Sequence, residues 1–268
     1  MNVQHYKPKN ETLRKYIDGY YFMTKGKSKL PLHYMTFPYN LCFVSTTQNS
    51  DVKIEEGQIL VTPSEKEKVV TDLVVRYTKP FKVTFQEPTN EITIRFKPLG
   101  LNYFITNLSD YFINGFCMDF QPFDDLNTKM QSIFDIENRD EQIEHLENYW
   151  LSKLKNIETD RIENIVADLE SELSIADISK KHQISRQYLN RIFFNTVGKT
   201  PSEYRKVHKF RNALLDFQKV NNLTELSYKS LFYDQSHFIK EFKSLTNINP
   251  SLFFKSIDSS EDVVWLSI

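Results

Sequence analysis

The chain has 268 residues, 40% hydrophobic and 26% charged, with a formal net charge of −1; this is the balance of a water-soluble globular protein long enough for two domains. No apolar run approaches the roughly 18 residues of a membrane span, and the opening stretch MNVQHYKPKNETLRKY lacks the apolar core of a secretory signal, so the expected address is the cytoplasm. Cys42 and Cys117 stand far apart, the six histidines show no metal-ligand spacing and the six glycines no phosphate-cradling motif, which argues against a disulfide scaffold, a metal centre and a nucleotide-dependent enzyme; neither a cofactor nor catalysis is expected.

The first hundred residues read as short strands separated by turn signals: Tyr20 to Met23, Leu41 to Val44, Ile59 to Thr62, Leu73 to Tyr77, Lys82 to Phe85 and Ile92 to Phe96. In EITIRF, alternation puts Ile92, Ile94 and Phe96 on one face and Thr93 and Arg95 on the other. Prolines 38, 63, 80, 88 and 98 fall at or beside the ends of these runs, where a missing N–H does least harm. A small antiparallel sandwich or open barrel is predicted.

After KPLGLNYFI the pattern turns helical, with Asp124 to Phe134 and Asp140 to Leu154 the clearest stretches. Ile143, Leu146, Trp150 and Leu154 share one helix face, and Thr159 is placed to cap a further helix through Ile162, Ile165, Val166 and Leu169. The fold class is therefore α+β, with a domain boundary near Lys155 to Glu158. Charge divides at about the same place. Lys180 to Lys255 carry 14 basic against 5 acidic side chains, which leaves −10 on the rest of the chain. A basic module on an acidic body is the pattern of a protein of which one part meets a polyanion.

That module repeats. A shift of 49 residues superposes Ser185 on Asp234, Leu189 on Phe238, Arg191 on Lys240, Phe193 on Phe242, Gly198 on Asn247, Pro201 on Pro250 and Tyr204 on Phe253. Ser185 and Asp234 are helix caps, Gly198 and Asn247 tolerate a left-handed helix terminus, and Thr200 and Asn249 each stand before a proline suited to a first helical turn. Upstream, SIADISKK and LTELSYKS are matching short helices. Two helix-turn-helix units joined by a helix from Pro201 to Phe217 are predicted.

The second helix of such a unit lies in the DNA major groove. With Tyr188, Leu189, Ile192 and Phe193 inward, Arg186, Gln187, Asn190 and Arg191 face outward; Asn and Gln suit adenine and Arg suits guanine because each makes two hydrogen bonds to one base edge. In the second unit Gln235, Ser236, His237 and Lys240 are outward or near the helix start, a set better suited to phosphate anchoring, and His237 reads equally well as a packed or solvated histidine. Lys199, Ser202, Arg205, Lys206, Lys209 and Arg211 are candidate phosphate contacts, with simple solvation the competing role for each lysine.

The segments SIADISKKHQISRQYLNRIFFNTVGKTPSEYRK and LTELSYKSLFYDQSHFIKEFKSLTNINPSLF resemble the DNA-binding domain of AraC/XylS-type transcriptional regulators. The resemblance implies that residues 157–257 are a double helix-turn-helix domain, 1–156 a β-rich regulatory or dimerisation domain, and 258–268 a tail. It further implies double-stranded DNA and RNA polymerase as partners, an activator's role, and ligand sensing, homodimer formation or both through the N-terminal domain. Ser179 and Ser227 replace the family's usual alanines, and Gln183 and Leu231 the usual turn glycines. An effector pocket would draw on Tyr20, Tyr21, His33, Tyr34, Phe37 and Arg95, although core packing accounts for most of these equally well. Two alternatives are a constitutive DNA-binding protein whose first half is only a dimerisation scaffold, and a DNA-repair enzyme carrying the same module, which two isolated cysteines do not equip. A ligand-sized, polar-lined cavity in the β domain separates sensor from scaffold.

Overall fold

The computed structural model describes residues 2–25, 31–55, 57–66, 68–112, 115–157, 159–220, 222–230, 232 and 234–257. Strands come first: β1 Asn2–Tyr6, β2 Ile17–Thr24, β3 Leu32–Thr36, β4 Cys42–Gln48, β5 Ser50–Glu55, β6 Gln58–Pro63, β7 Val69–Val74, β8 Phe81–Phe85, β9 Glu91–Phe96 and the short β10 Phe116–Cys117. They form two sheets, ordered β1-β2-β9-β4-β7-β10 and β3-β8-β6-β5, antiparallel throughout except for the parallel pair β6 and β8. The predicted strand at Leu73 to Tyr77 is shifted: the ladder ends at Val74, and Val75 and Tyr77 are buried without strand pairing.

Two helices, α1 Leu126–Phe134 and α2 Arg139–Ser152, follow. Period-2 alternation gives the larger sheet two inner faces. One carries Tyr20, Phe22, Val44, Leu73, Ile92 and Ile94 into a core completed by α1 and α2, with Trp150 fully buried against Phe96 and Phe104. The other face turns toward the smaller sheet and meets Val61, Phe81, Val83 and Phe85. A β-rich sandwich backed by helices is thus succeeded by an all-helical region, as the α+β reading expects.

That region comprises α3 Asp160–Glu170, α4 Ile175–Lys181, α5 Arg186–Val197, α6 Pro201–Asp216, α7 Leu223–Lys229, α8 Gln235–Thr246 and α9 Pro250–Ile257. Its first core gathers Ile165, Leu169, Ile178, Leu189, Phe193 and Tyr204 with Leu99 from the β domain. Its second gathers Phe210, Leu226, Phe238, Phe242 and Phe254 with Phe37 from the β domain. Ring pairs such as Phe210–Phe242 at 5.2 Å and Phe238–Phe242 at 5.5 Å are edge-on; each such pair adds about 0.5–1.5 kcal/mol beyond its buried area. Among the described residues no helix is long and apolar enough to cross a membrane.

Candidate nucleic-acid interface

The caps read from the sequence set the geometry of both helix-turn-helix units. The Ser185 side chain accepts from the Tyr188 N–H, and Asp234 accepts from the His237 N–H at 2.7 Å. At the far ends Gly198 (φ 76°) and Asn247 (φ 60°) adopt the left-handed conformation. Thr200 and Glu203 form a reciprocal capping box that starts α6 at Pro201. Thr159 stands at the cap position of α3, but its hydroxyl donates to Glu163 and meets the Tyr103 hydroxyl rather than capping the backbone.

Both serines in place of alanine are accommodated. Ser227 donates to the Thr224 carbonyl at 2.8 Å, while the buried Ser179 hydroxyl has no hydrogen-bond partner among the described residues. In the first turn Gln183 takes φ 54°, at a cost of about 1–2 kcal/mol for a residue with a Cβ; its side chain is exposed, so nothing packs against the strained backbone. Leu231, in the second turn, lies outside the described residues.

On α5 the side chains of Arg186, Gln187, Asn190 and Arg191 are all exposed, on the face opposite the buried Leu189, Phe193 and Val197. Tyr188 is a correction: instead of packing inward it is exposed, with the Arg191 guanidinium 5.2 Å from its ring centroid. Leu189 and Phe193 take the buried face of α5, and Tyr188, one residue before Leu189, is turned about 100° away from it around the helix. On α8, Ser236, His237 and Lys240 are exposed, joined by Lys243, which the sequence reading passed over. Gln235 is half-buried and accepts from the Thr224 hydroxyl at 2.9 Å, which fixes it at the helix start.

The candidate phosphate contacts divide sharply. Lys199 is 1% exposed, and its ammonium donates to the Val75 carbonyl at 2.8 Å. Arg211 donates through Nε to the Pro38 carbonyl at 2.8 Å and through its terminal nitrogen to the Phe37 carbonyl, with its guanidinium 3.9 Å from the Tyr39 ring centroid. In this arrangement neither faces the solvent where a duplex would lie, because Lys199, just before α6, and Arg211, within it, both turn toward the β-rich region. Arg205 donates to the Leu169 carbonyl, and Lys206 pairs with Glu241 of α8 at 2.8 Å. Lys209 is half-buried over the Phe232 ring, and Ser202 is exposed.

Two helix-turn-helix units, matched cap for cap and sharing one central helix, stand beside a match to the helix-turn-helix domain family over residues 178–256. This part of the chain is a helix-turn-helix domain. Relatives share it. The uncharacterised HTH-type transcriptional regulator YdeC of Bacillus subtilis is 34% identical over 88 residues, 32% of this chain and 30% of YdeC. The HTH-type transcriptional activator AarP of Providencia stuartii is 29% identical over 103 residues, 38% of this chain and 76% of AarP. The chain thus matches about a third of YdeC's length and three quarters of AarP's. Among solved structures, ToxT of Vibrio cholerae aligns over 95% of this chain and 97% of its own, at 14% identity and a TM-score of 0.42.

The helix-turn-helix domain is docked on the β-rich region through specific bonds. Arg76 pairs with Glu203 at 2.7 Å and stacks on Phe194, Asn40 donates to the Tyr204 carbonyl at 3.0 Å, and Phe37 packs on Phe253. The Arg76 guanidinium and the Thr200 cap together hold the Glu203 carboxyl below its usual range even though burial opposes them.

Between the two sheets, beside this junction, lies a cavity of about 100 Å³ that Tyr21, Tyr34 and Phe37 line together with Arg211. Three residues expected there are elsewhere. Tyr20 points the other way, into the core against α1 and α2, because it sits one position off the cavity-facing register of β2. His33 is exposed on the outer side of β3, its Nδ1 3.0 Å from the Thr84 hydroxyl. Arg95 pairs with Asp18 at 2.9 Å toward the end of the sheet and does not line the cavity. What the sequence reading missed is the cavity's polar floor, Ser45, Thr47, Asp72 and Glu91, which reads residue by residue as ordinary strand alternation.

Proposed function

We propose that the chain is a sequence-specific DNA-binding transcription regulator, acting as an activator, in which the N-terminal domain governs the AraC-type domain in response to a small-molecule effector. The observation that carries the reading is the pair of capped helices α5 and α8, each presenting an exposed polar face and each sharing an apolar core with α6. On this reading Gln187, Asn190 and Arg191, with Arg186 beside them, read bases; Gln235, Ser236, His237 and Lys240 form the second, more phosphate-directed contact. Ser202 anchors backbone at the start of α6. RNA polymerase is the partner an activator engages, and a homodimer is the assembly that supplies a second copy of the site.

The cavity favours a sensor over a bare scaffold, since a dimerisation domain has no use for polar groups in its interior. Its wall includes Arg211 of α6, so occupancy and docking of the DNA-binding half share a residue. Selection of bound sites from random duplexes by the purified chain, with and without a metabolite extract, tests both halves of the reading. An enriched motif spanning two adjacent major grooves is expected, with affinity for it altered by the extract. Recovery of no motif would overturn sequence-specific regulation.

A further inference from the structure

We propose that the cavity between the sheets takes a small amine, its ammonium group held by Glu91 and Asp72 and its hydrocarbon part by the apolar wall opposite. This rests on the reading above that the N-terminal domain senses an effector, and it names the chemical class.

The cavity floor is built by register. Across the central strands Glu91 of β9 lies opposite Thr47 of β4, and Thr93 of β9 opposite Ser45, which in turn lies opposite Asp72 of β7. Alternation therefore sends all five to the same face of the larger sheet, the one that looks at the smaller sheet. Intervening residues Val44, Leu73, Ile92 and Ile94 go to the opposite face and form an ordinary apolar core. A sandwich interior needs apolar groups on both inner faces. Here one of them is polar over several strands.

The two acids are buried, with 5% exposure at Glu91 and 8% at Asp72. Glu91 accepts from the Thr93 hydroxyl at 2.7 Å, and Asp72 accepts from the Asp119 N–H at 3.0 Å. Among the described residues neither carboxylate has an ion-pair partner, whereas buried acids are ordinarily paired. Burial pushes each carboxyl up to about 6, and each stays largely ionised at neutral pH. The floor thus holds two negative charges and lacks a cation.

A second observation points to the same kind of occupant. The Thr47 hydroxyl, on a residue 3% exposed that lines the cavity, has no hydrogen-bond partner among the described residues. An ammonium group brings three donors, which matches three acceptors on one floor: Glu91, Asp72 and Thr47. The rings of Tyr21 and Tyr34 add faces that attract a cation. Opposite them Val61, Phe81, Val83 and Phe85 are apolar. A volume of about 100 Å³ is below the roughly 150 Å³ that accommodates benzene, so the occupant is a short aliphatic amine. A carboxylate ligand is disfavoured by the floor, and the one guanidinium on the rim, that of Arg211, already serves the carbonyls of Phe37 and Pro38.

The 268-residue chain is titrated by calorimetry at neutral pH with n-butylamine, 1-butanol and butyrate, which differ in the polar group on one short alkyl chain. Butylamine binding at least tenfold more tightly than butanol, with no detectable butyrate binding, is the expected result. Glu91→Gln should erase that preference while its thermal midpoint without ligand reports that it still folds; Asp72→Asn provides a second, independent loss. Equal or tighter binding of the alcohol or of butyrate, binding of none of the three, or butylamine affinity unchanged in both variants overturns the proposal. Operator affinity measured with and without bound butylamine separates the two layers: an amine that binds by these criteria but leaves DNA affinity unchanged upholds the site and removes effector control.

Discussion

Replacing Lys199 with methionine tests the docking of the two domains. The Lys199 ammonium is 1% exposed and donates to the Val75 carbonyl, and burial pushes its pKa from the ordinary 10.5 down to about 8. The unfolded chain keeps this proton up to the ordinary lysine range, while the folded chain releases it near pH 8. Between those values the unfolded state binds more protons, so stability rises with pH. The displacement corresponds to about 3 kcal/mol, a penalty present in full below pH 8 and relieved as pH climbs toward 10.5. Methionine keeps the stem and removes the charge, but strands the Val75 carbonyl at about 1–3 kcal/mol. Lys199→Met should accordingly be as stable as the parent, or about 2 kcal/mol more so, at pH 7, and fall below it near pH 10. Urea unfolding of both chains in steps from pH 7 to 10 measures this. Cys42, the neighbouring titratable group, is pushed up to about 11 by burial and stays protonated across that range. Parallel stability curves for the two chains would refute the reasoning. So would a drop of one unit in the salt dependence of DNA binding, which would return Lys199 to the phosphate-contacting set.

Arg191→Ala should lower operator affinity by about 1–3 kcal/mol and relax the preference at one base pair; unchanged selectivity at fixed salt removes it from the reading face. Lys240→Ala should weaken binding to all sequences alike and reduce the salt slope by about one, and a loss confined to one sequence contradicts the anchoring role. Gly198→Ala should destabilise more than Asn247→Ala, because both bear left-handed backbones but a Cβ at Gly198 would meet Val75 Cγ1 at 2.9 Å and the Phe112 ring at 3.2 Å. The backbone alone accounts for about 1–2 kcal/mol, and equal midpoint shifts in urea for the two variants would mean that the domains do not press together there.

The helical half was legible because its signals are local. Caps at Ser185, Asp234 and Thr200, left-handed termini at Gly198 and Asn247, and prolines at first turns act within four residues of themselves, and each does in the structure what its residue type allows. The β half was legible in part. Six strands were found, while β1, β3, β5 and β10 were missed, because these four are the edges of the two sheets, and edge strands need little apolar content and take their stability from their single partner. Side-chain destinations were the least accessible. Lys199 and Arg211 carry the charge of phosphate contacts, and only the position of the β domain shows that their hydrogen bonds go to Val75, Phe37 and Pro38 instead. Tyr20 and Tyr21 are neighbours of like chemistry, yet one residue of register sends them to opposite faces of the sheet.

The central helix α6 has a consequence for the DNA as well as for the protein. It contributes Tyr204 to one helical core and Val207, Phe210 and Leu214 to the other, and its Lys206 is tied to Glu241 of α8. Neither unit can swivel without opening an apolar core. On the proposed reading the molecule is a gauge of fixed length: it accepts target sites whose two halves lie about one helical turn apart, 10–10.5 base pairs. A single inserted base pair between the halves would carry the second around the duplex and out of reach of α8, so operators for this chain should vary in letters but not in spacing.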